Sequence, residues 1–440
     1  MPLPAPLTRN PEGLLFLEGI ALDEVASEFG TPVYVISAAG LRDQATRLQR
    51  LSHRFCSGGF AAYAYKANTL PNVCALLNRE GLGAEVSSLM ELRLALDIGV
   101  NPSHIVFNGP GKVDEALRLA IRAGVGFLNA DSMSELFSIN RIAAELDQPV
   151  QVGLRVGPTI ARELHGRPTR FGVDLEGGLA LDCLRKAAEL ERLRIHGIHF
   201  HLGTQIGSST PFRQAVAETL ELISRALDEN LMEFRYLDIG GGFAAVPSTC
   251  RPELEAYMAT QIDARVVESV LEPTAEALMG FNSPSILFEP GRLVVAQSAL
   301  LLARVLAKTT HKATTGFVLD CGQTMLSSNL TLKLFHDVLP VQVRQDTSES
   351  PINLFGCLCY EADVISLALP LPPLENGDLV AVLDCGAYDM QLATPFIVSR
   401  PSVVLVEGNQ ALQIRYEEAV TAQSLVSLGV GPALLPLRVR

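Results

Sequence analysis

The stretch FAAYAYKANTLPNV, residues 60–73, is apolar and rich in aromatics, yet it carries a lysine, Lys66. Lysine is rarely buried without a partner or a purpose. One reading is an amine that snorkels to the surface. The other is an amine held in a site to form a Schiff base with a carbonyl. Three further stretches carry residues of comparable chemistry. HFHLGTQ ends in a segment with His201, and the two-residue period of a strand puts His199 on the same face. LDIGGGF runs into Gly240, Gly241 and Gly242, whose amides have no side chain to bar an approaching phosphate. SILFEPGR ends in Glu289, Pro290, Gly291 and Arg292.

Taken singly, each has a plain structural account: a core histidine, a tight turn, a paired acid. Taken together, an amine, a flat ring, a phosphate-binding loop and a buried acid suit pyridoxal 5'-phosphate. Lys66 would form the Schiff base with the cofactor aldehyde, and the glycine loop would hold the phosphate. His201 would stack on the ring. Glu289 would keep the ring nitrogen protonated, so that the ring draws electrons from a carbanion.

These residues need a scaffold that gathers strand ends. Between residues 60 and 290, β-rich runs alternate with segments of helical spacing, such as SLMELRLALDIGV and PFRQAVAETLELISRALDEN. The runs are FAAYAYK, LGAEVSS, HIVFNG, GFLNADS, VQVGLRVG, IHGIHFHLG, FRYLDIGGG and SILFEPG. Eight strands, each followed by a helix, give a (β/α)8 barrel over residues 40–290. A doubly wound open sheet is the alternative. In a barrel, chemistry gathers at the C-terminal strand ends, and the loops after strands seven and eight recurrently bind phosphate. Residues 1–39 contain TPVYVIS and LDEVASEF, and residues 291–440 turn β-rich. The expectation is α/β: a barrel plus a mainly antiparallel β domain built from both chain ends.

With 440 residues the chain exceeds one ordinary core. A net charge of −13 argues against nucleic acid as a partner. The most apolar run, LVVAQSALLLA at 293–303, is too short to span a bilayer, and MPLPAPLTRNPEG lacks the regions of a signal peptide. A cytoplasmic protein away from membranes is expected. The eight cysteines form no CxxC pair, which predicts neither a disulfide framework nor a metal site.

With these residues in hand, the whole chain resembles the fold-type III pyridoxal phosphate decarboxylases, the group of diaminopimelate and ornithine decarboxylases. YAYKAN is similar to the family's cofactor-lysine motif, HLGTQ to its HxGSQ, and LDIGGGF and EPGR to its phosphate loop and acid segment. GCLCYEAD, residues 356–363, resembles GPxCESxD, and GAY at 386–388 resembles the start of GAYxxxMxSxYN. The resemblance implies that Lys66 and His201 are catalytic, that Glu289 meets the pyridine nitrogen, and that Thr204, Gly240, Gly241, Gly242, Gly291 and Tyr388 help bind the cofactor. Arg292 would contact phosphate or the substrate carboxylate. It also implies a homodimer with shared sites, in which Cys359 reaches the partner's site and protonates the carbanion; a thiol pKa is tunable enough for that.

The substrate side departs from the pattern. Where the family has an acid after the cysteine, this chain has Tyr360, with Glu361 following; its usual Tyr-Asn is Phe396-Ile397. In SSNLTLKLFH, residues 327–336, Lys333 is the only cation where a carboxylate-gripping arginine is expected. The leading expectation is therefore a decarboxylase of a specialised amino acid or amino-acid conjugate, as in siderophore or secondary metabolism. Lysine-forming decarboxylation of meso-diaminopimelate is the alternative. Racemase-like chemistry and a non-catalytic binding homologue stand behind both.

Overall fold

The computed structural model describes residues 3–4, 6–166, 169–248, 265–311, 314–328, 336–344 and 348–415. Its centre is a ring of eight parallel strands: Ala62–Ala64, Gly83–Val86, Ile105–Phe107, Phe127–Ala130, Val150–Gly157, Leu193–His199, Tyr236–Asp238 and Ser285–Leu287. They pair in chain order, from Ala62 opposite Gly83 to Leu237 opposite Ile286. A parallel bridge between Ala61 and Phe288 closes the ring, with the Ala64 amide donating to the Pro290 carbonyl at 3.1 Å. Such short runs are buried on both faces because the barrel interior covers one face and helices cover the other. All eight expected strands are present, and the open-sheet alternative is set aside.

Two of the crossover helices start by the same local device. Ser88 Oγ accepts from the Glu91 amide at 3.2 Å, and Glu91 reaches back to the Ser87 amide at 2.7 Å. Ser132 and Glu135 repeat this, with Glu135 accepting from the Asp131 amide at 2.7 Å. Each reciprocal cap satisfies one amide that the first helical turn leaves open and one just ahead of the cap, worth about 1 kcal/mol. The caps also fix the strand exits that carry Ser87 and Asp131 toward the top of the barrel.

A second sheet lies beyond the barrel. Its strand Val33–Ser37 sits between Ala299–His311, which it pairs with antiparallel, and Ser402–Glu407, which it pairs with parallel. Thr314–Leu319, Ser350–Phe355, Val364–Leu371, Leu379–Val382 and Gln410–Arg415 complete most of it. The pairing is mainly antiparallel, and both ends of the chain contribute, as expected. The run at 293–303 resolves into a short helix, Arg292–Val295, and the start of the long strand Ala299–His311. Among the described residues no helix is long and apolar enough to cross a membrane.

Candidate active site

A cavity of about 450 Å³ opens at the C-terminal ends of the barrel strands, lined by Lys66, Glu85, Asn108, Arg155, His201 and Glu289 among others. Lys66 occupies a single 3-10 turn, Tyr65–Ala67, directly after the first strand. The flanking Tyr65 and Ala67 are buried, whereas the Lys66 side chain is 39% exposed to the cavity. Its ammonium donates to Glu85, which also accepts from Ser87 Oγ at 2.9 Å and Asn108 Nδ2 at 3.2 Å. Burial alone would pull the Lys66 pKa down, but the carboxylates of Glu85 and Glu289 outweigh it and hold it above its ordinary value.

Lys112 shows what a structural lysine looks like in the same barrel. Its Nζ is buried completely and donates to the Gly109 and Asn129 carbonyls, both at 2.8 Å, and to Glu135 at 2.9 Å. All three donors are used, so Lys112 pins the loop after the third strand. Among the described residues Lys66 makes one such bond, and it lines the cavity.

His201 follows the sixth strand and lines the cavity with His199. Its Nδ1 accepts from the Gly241 amide at 3.1 Å, so the ring proton resides on Nε2. Burial, reinforced by the charges of Lys66 and Arg155, lowers its pKa to about 3. His201 is therefore a neutral, flat ring at physiological pH. The glycine loop is packed tightly around it. A Cβ on Gly240 would lie 2.3 Å from the Phe200 carbonyl, one on Gly241 2.1 Å from the Glu289 carbonyl, and one on Gly242 2.3 Å from the Gly203 carbonyl. The Gly240 amide donates to Asp238 at 2.9 Å and the Gly241 amide to His201. The glycines are required first by backbone approach.

Glu289 is 2% exposed. Burial would raise its pKa, but His199 and the Lys66 ammonium lower it below the usual carboxylate range. It accepts from Asn108 Nδ2, and His199 Nε2 lies 3.7 Å from its Oε1. Among the described residues neither ring nitrogen of the buried His199 has a hydrogen-bond partner. Thr204 and Gly203 also line the cavity. Gly291 does not; it lets the eighth strand pack on the first, where a Cβ would lie 3.1 Å from that of Ala64.

Arg292 is likewise absent from the cavity lining. It stacks over the Tyr388 ring at 4.7 Å, with its Nε and Nη2 buried and without a hydrogen-bond partner among the described residues. Tyr388 itself is tied to the lysine turn, its amide donating to the Ala67 carbonyl at 2.8 Å. Cys359, Tyr360, Glu361 and Phe396 lie on the surface of the second sheet's loops, away from the lining of their own chain's cavity. The Tyr360 and Phe396 rings meet edge-on at 6.2 Å, and they are 37% and 48% exposed. Asp363 shapes this loop by accepting from the Gln323 and Leu358 amides, each at 2.7 Å. Lys333 lies outside the described residues.

Sequence reasoning missed Glu85, Asn108, Arg155 and Asp238. Glu85 carried a signal, being an acid in the otherwise apolar strand GAEV. Arg155 is held at 3.1 Å by Asp131 and lies over Phe171 at 4.6 Å. Nothing local marks that role.

Residues 41–296 match the model of the pyridoxal-dependent decarboxylase family, pyridoxal binding domain. The chain belongs to this family. It is 31% identical to diaminopimelate decarboxylase of Zymomonas mobilis, over 93% of this chain and 95% of that protein. To diaminopimelate decarboxylase of Pseudomonas aeruginosa it is 32% identical, over 96% and 97%. Its fold is similar to the crystal structure of diaminopimelate decarboxylase from M. jannaschii in complex with L-lysine, with a TM-score of 0.86 and 27% identity over 98% of both chains. The protein is thus a pyridoxal phosphate-dependent amino-acid decarboxylase. The cavity fits that cofactor: its volume lies in the range of small-molecule sites, and an amine, an unpartnered imidazole and an ionised acid all face it.

Proposed function

We propose that Lys66 is the residue that holds pyridoxal phosphate covalently and that the protein decarboxylates meso-diaminopimelate to lysine. The observation that carries the first part is the partly exposed Lys66 amine facing Glu289 and His201 across one cavity. Support for the substrate comes from relatives named for diaminopimelate over nearly their whole length, which reverses the order of substrates expected from the sequence. When bound, the cofactor supplies an electron sink for the carbanion left by departing carbon dioxide.

The chain's own residues prepare that chemistry. Glu85 orients the Lys66 amine. Neutral His201 offers a ring face without competing charge, and ionised Glu289 offers an acceptor for a ring N–H. Gly242, Thr204 and Tyr388 are assigned to the phosphate end, with Arg292 approaching from the Tyr388 side. Cys359 is assigned to proton return in the site of a second copy of this chain. Its exposure on a loop with the Tyr360–Phe396 pair, away from its own cavity, supports that placement.

A second reading rests on that aromatic pair. Two exposed rings replace groups suited to a charged distal end, which favours a larger or less polar amino-acid conjugate. The experiment is carbon dioxide release from meso-diaminopimelate, beside lysine, ornithine and arginine, with added pyridoxal phosphate. Release from diaminopimelate alone is expected. No release from any of the four, by protein that retains covalently held cofactor, would overturn the substrate and favour the conjugate.

A further inference from the structure

The barrel core beneath the cavity is polar where branched aliphatic side chains usually fill such barrels. Asn108, Asn129, Tyr236, Asp238 and Glu289 are all buried there, on or just beyond four different strands. Tyr236 Oη donates to Asn129 Oδ1 at 2.9 Å. Asn129 Nδ2 donates to Asn108 Oδ1 at 3.0 Å and to Asp238 Oδ2 at 3.3 Å. Asn108 Nδ2 donates to Glu289 and, at 3.2 Å, to Glu85. Two carboxylates that can only accept fix Asn108 with its nitrogen toward them, and its oxygen in turn fixes Asn129 with its nitrogen toward Asn108.

Two glycines make room for this chain. A Cβ on Gly153 would lie 2.2 Å from Asn129 Oδ1 and 2.3 Å from Tyr236 Oη, and one on Gly197 would lie 2.2 Å from the Tyr236 ring. Glycine inside a strand weakens it and marks a close approach. Here both approaches are by members of the same chain.

We propose that Tyr236, Asn129 and Asn108 form a one-way hydrogen-bond relay whose terminal donors hold Glu289 as an acceptor-only carboxylate. All the hydrogens run from the phenol toward the acids, so each donor stabilises the ionised form at the end. Asn108 is the positioning residue, acting on the cofactor's ring nitrogen only through Glu289. This deepens the proposed role of Glu289 and rests on it. The other charged or titratable groups facing Glu289 are Lys66, Glu85, His199, His201 and Asp238. Burial and the neighbouring Glu289 charge push the Asp238 carboxyl well above its usual range.

The test is a carboxyl-carbon NMR titration of glutamate-labelled apoenzyme, with the Glu289 signal assigned by its loss in Glu289→Gln. The wild-type carboxyl is expected to stay ionised into acid. In Asn108→Leu, of similar volume and without a donor, its pKa rises by about 1–2 units, the worth of a charge-assisted hydrogen bond. Tyr236→Phe keeps the core filled and gives a smaller rise of the same sign, so it decides the matter if Asn108→Leu fails to fold. A Tyr236→Phe protein that melts earlier with an unmoved Glu289 titration would overturn the relay. The titration needs neither cofactor nor substrate, so failure of the carbon dioxide assay would sink the substrate and leave this result standing.

Discussion

Gly241 tests whether the glycine loop is a matter of backbone approach. Adding one methyl places a Cβ 2.1 Å from the Glu289 carbonyl oxygen and 3.1 Å from its carbon. Ordinary contact requires roughly 1 Å more, and the obstacle is backbone, not a side chain that can swing aside. The Glu289 amide is itself held by the Gly240 carbonyl at 2.8 Å, so both partners belong to one hydrogen-bonded unit. Overpacking of this kind costs about 1–3 kcal/mol, and a 1 Å displacement of site groups costs on the order of 100-fold in rate. The same movement draws the Gly241 amide from His201 and frees that ring to turn. Gly280 is an internal control, because a Cβ there meets nothing within 4 Å. Gly241→Ala should therefore lose cofactor affinity and about two orders of magnitude in turnover, while Gly280→Ala keeps both within about 2-fold. Absorbance titration of apoenzyme with pyridoxal phosphate and a thermal melt read the two variants. Equal affinity and stability in Gly241→Ala and wild type would refute the packing argument.

Two further outcomes follow from the same geometry. Lys66→Ala and Cys359→Ala homomers should each lose nearly all turnover, but co-expressed subunits should regain about a quarter of wild-type activity if a second copy completes each site; no recovery would mean that Cys359 does not act across subunits. His201 gives a pH dependence with a definite sign. Its ordinary value is 6.5 and its value in the fold about 3, so below pH 6.5 the unfolded chain takes up a proton that the fold refuses. The apoenzyme should therefore lose about 1.4 kcal/mol per pH unit between pH 6.5 and 3 relative to His201→Phe. Denaturant unfolding at pH 6.5 and 5.5 measures it, and identical slopes for the two proteins would exclude a histidine held neutral by the fold.

The sequence alone determined the count of barrel strands and the residues that end them. Lys66, His201 and Glu289 stood out because each interrupts a run otherwise suited to a core, and Gly240–Gly242 because three glycines in a row weaken any strand. Such anomalies are local, and so they can be read from one segment. Tertiary structure decided what those residues do to one another. Ring closure sets the first strand against the eighth, and only then do Glu85 and Glu289 both act on Lys66. It also spent two loop amides on Asp238 and His201 and turned Arg292 toward Tyr388. Asn108, Asn129 and Tyr236 escaped notice for a related reason. Their strands are buried on both faces, so alternation does not tell inward from outward, and their partners lie on other strands. A hydrogen bond between residues 107 positions apart, as between Tyr236 and Asn129, exists only once the barrel has closed around it.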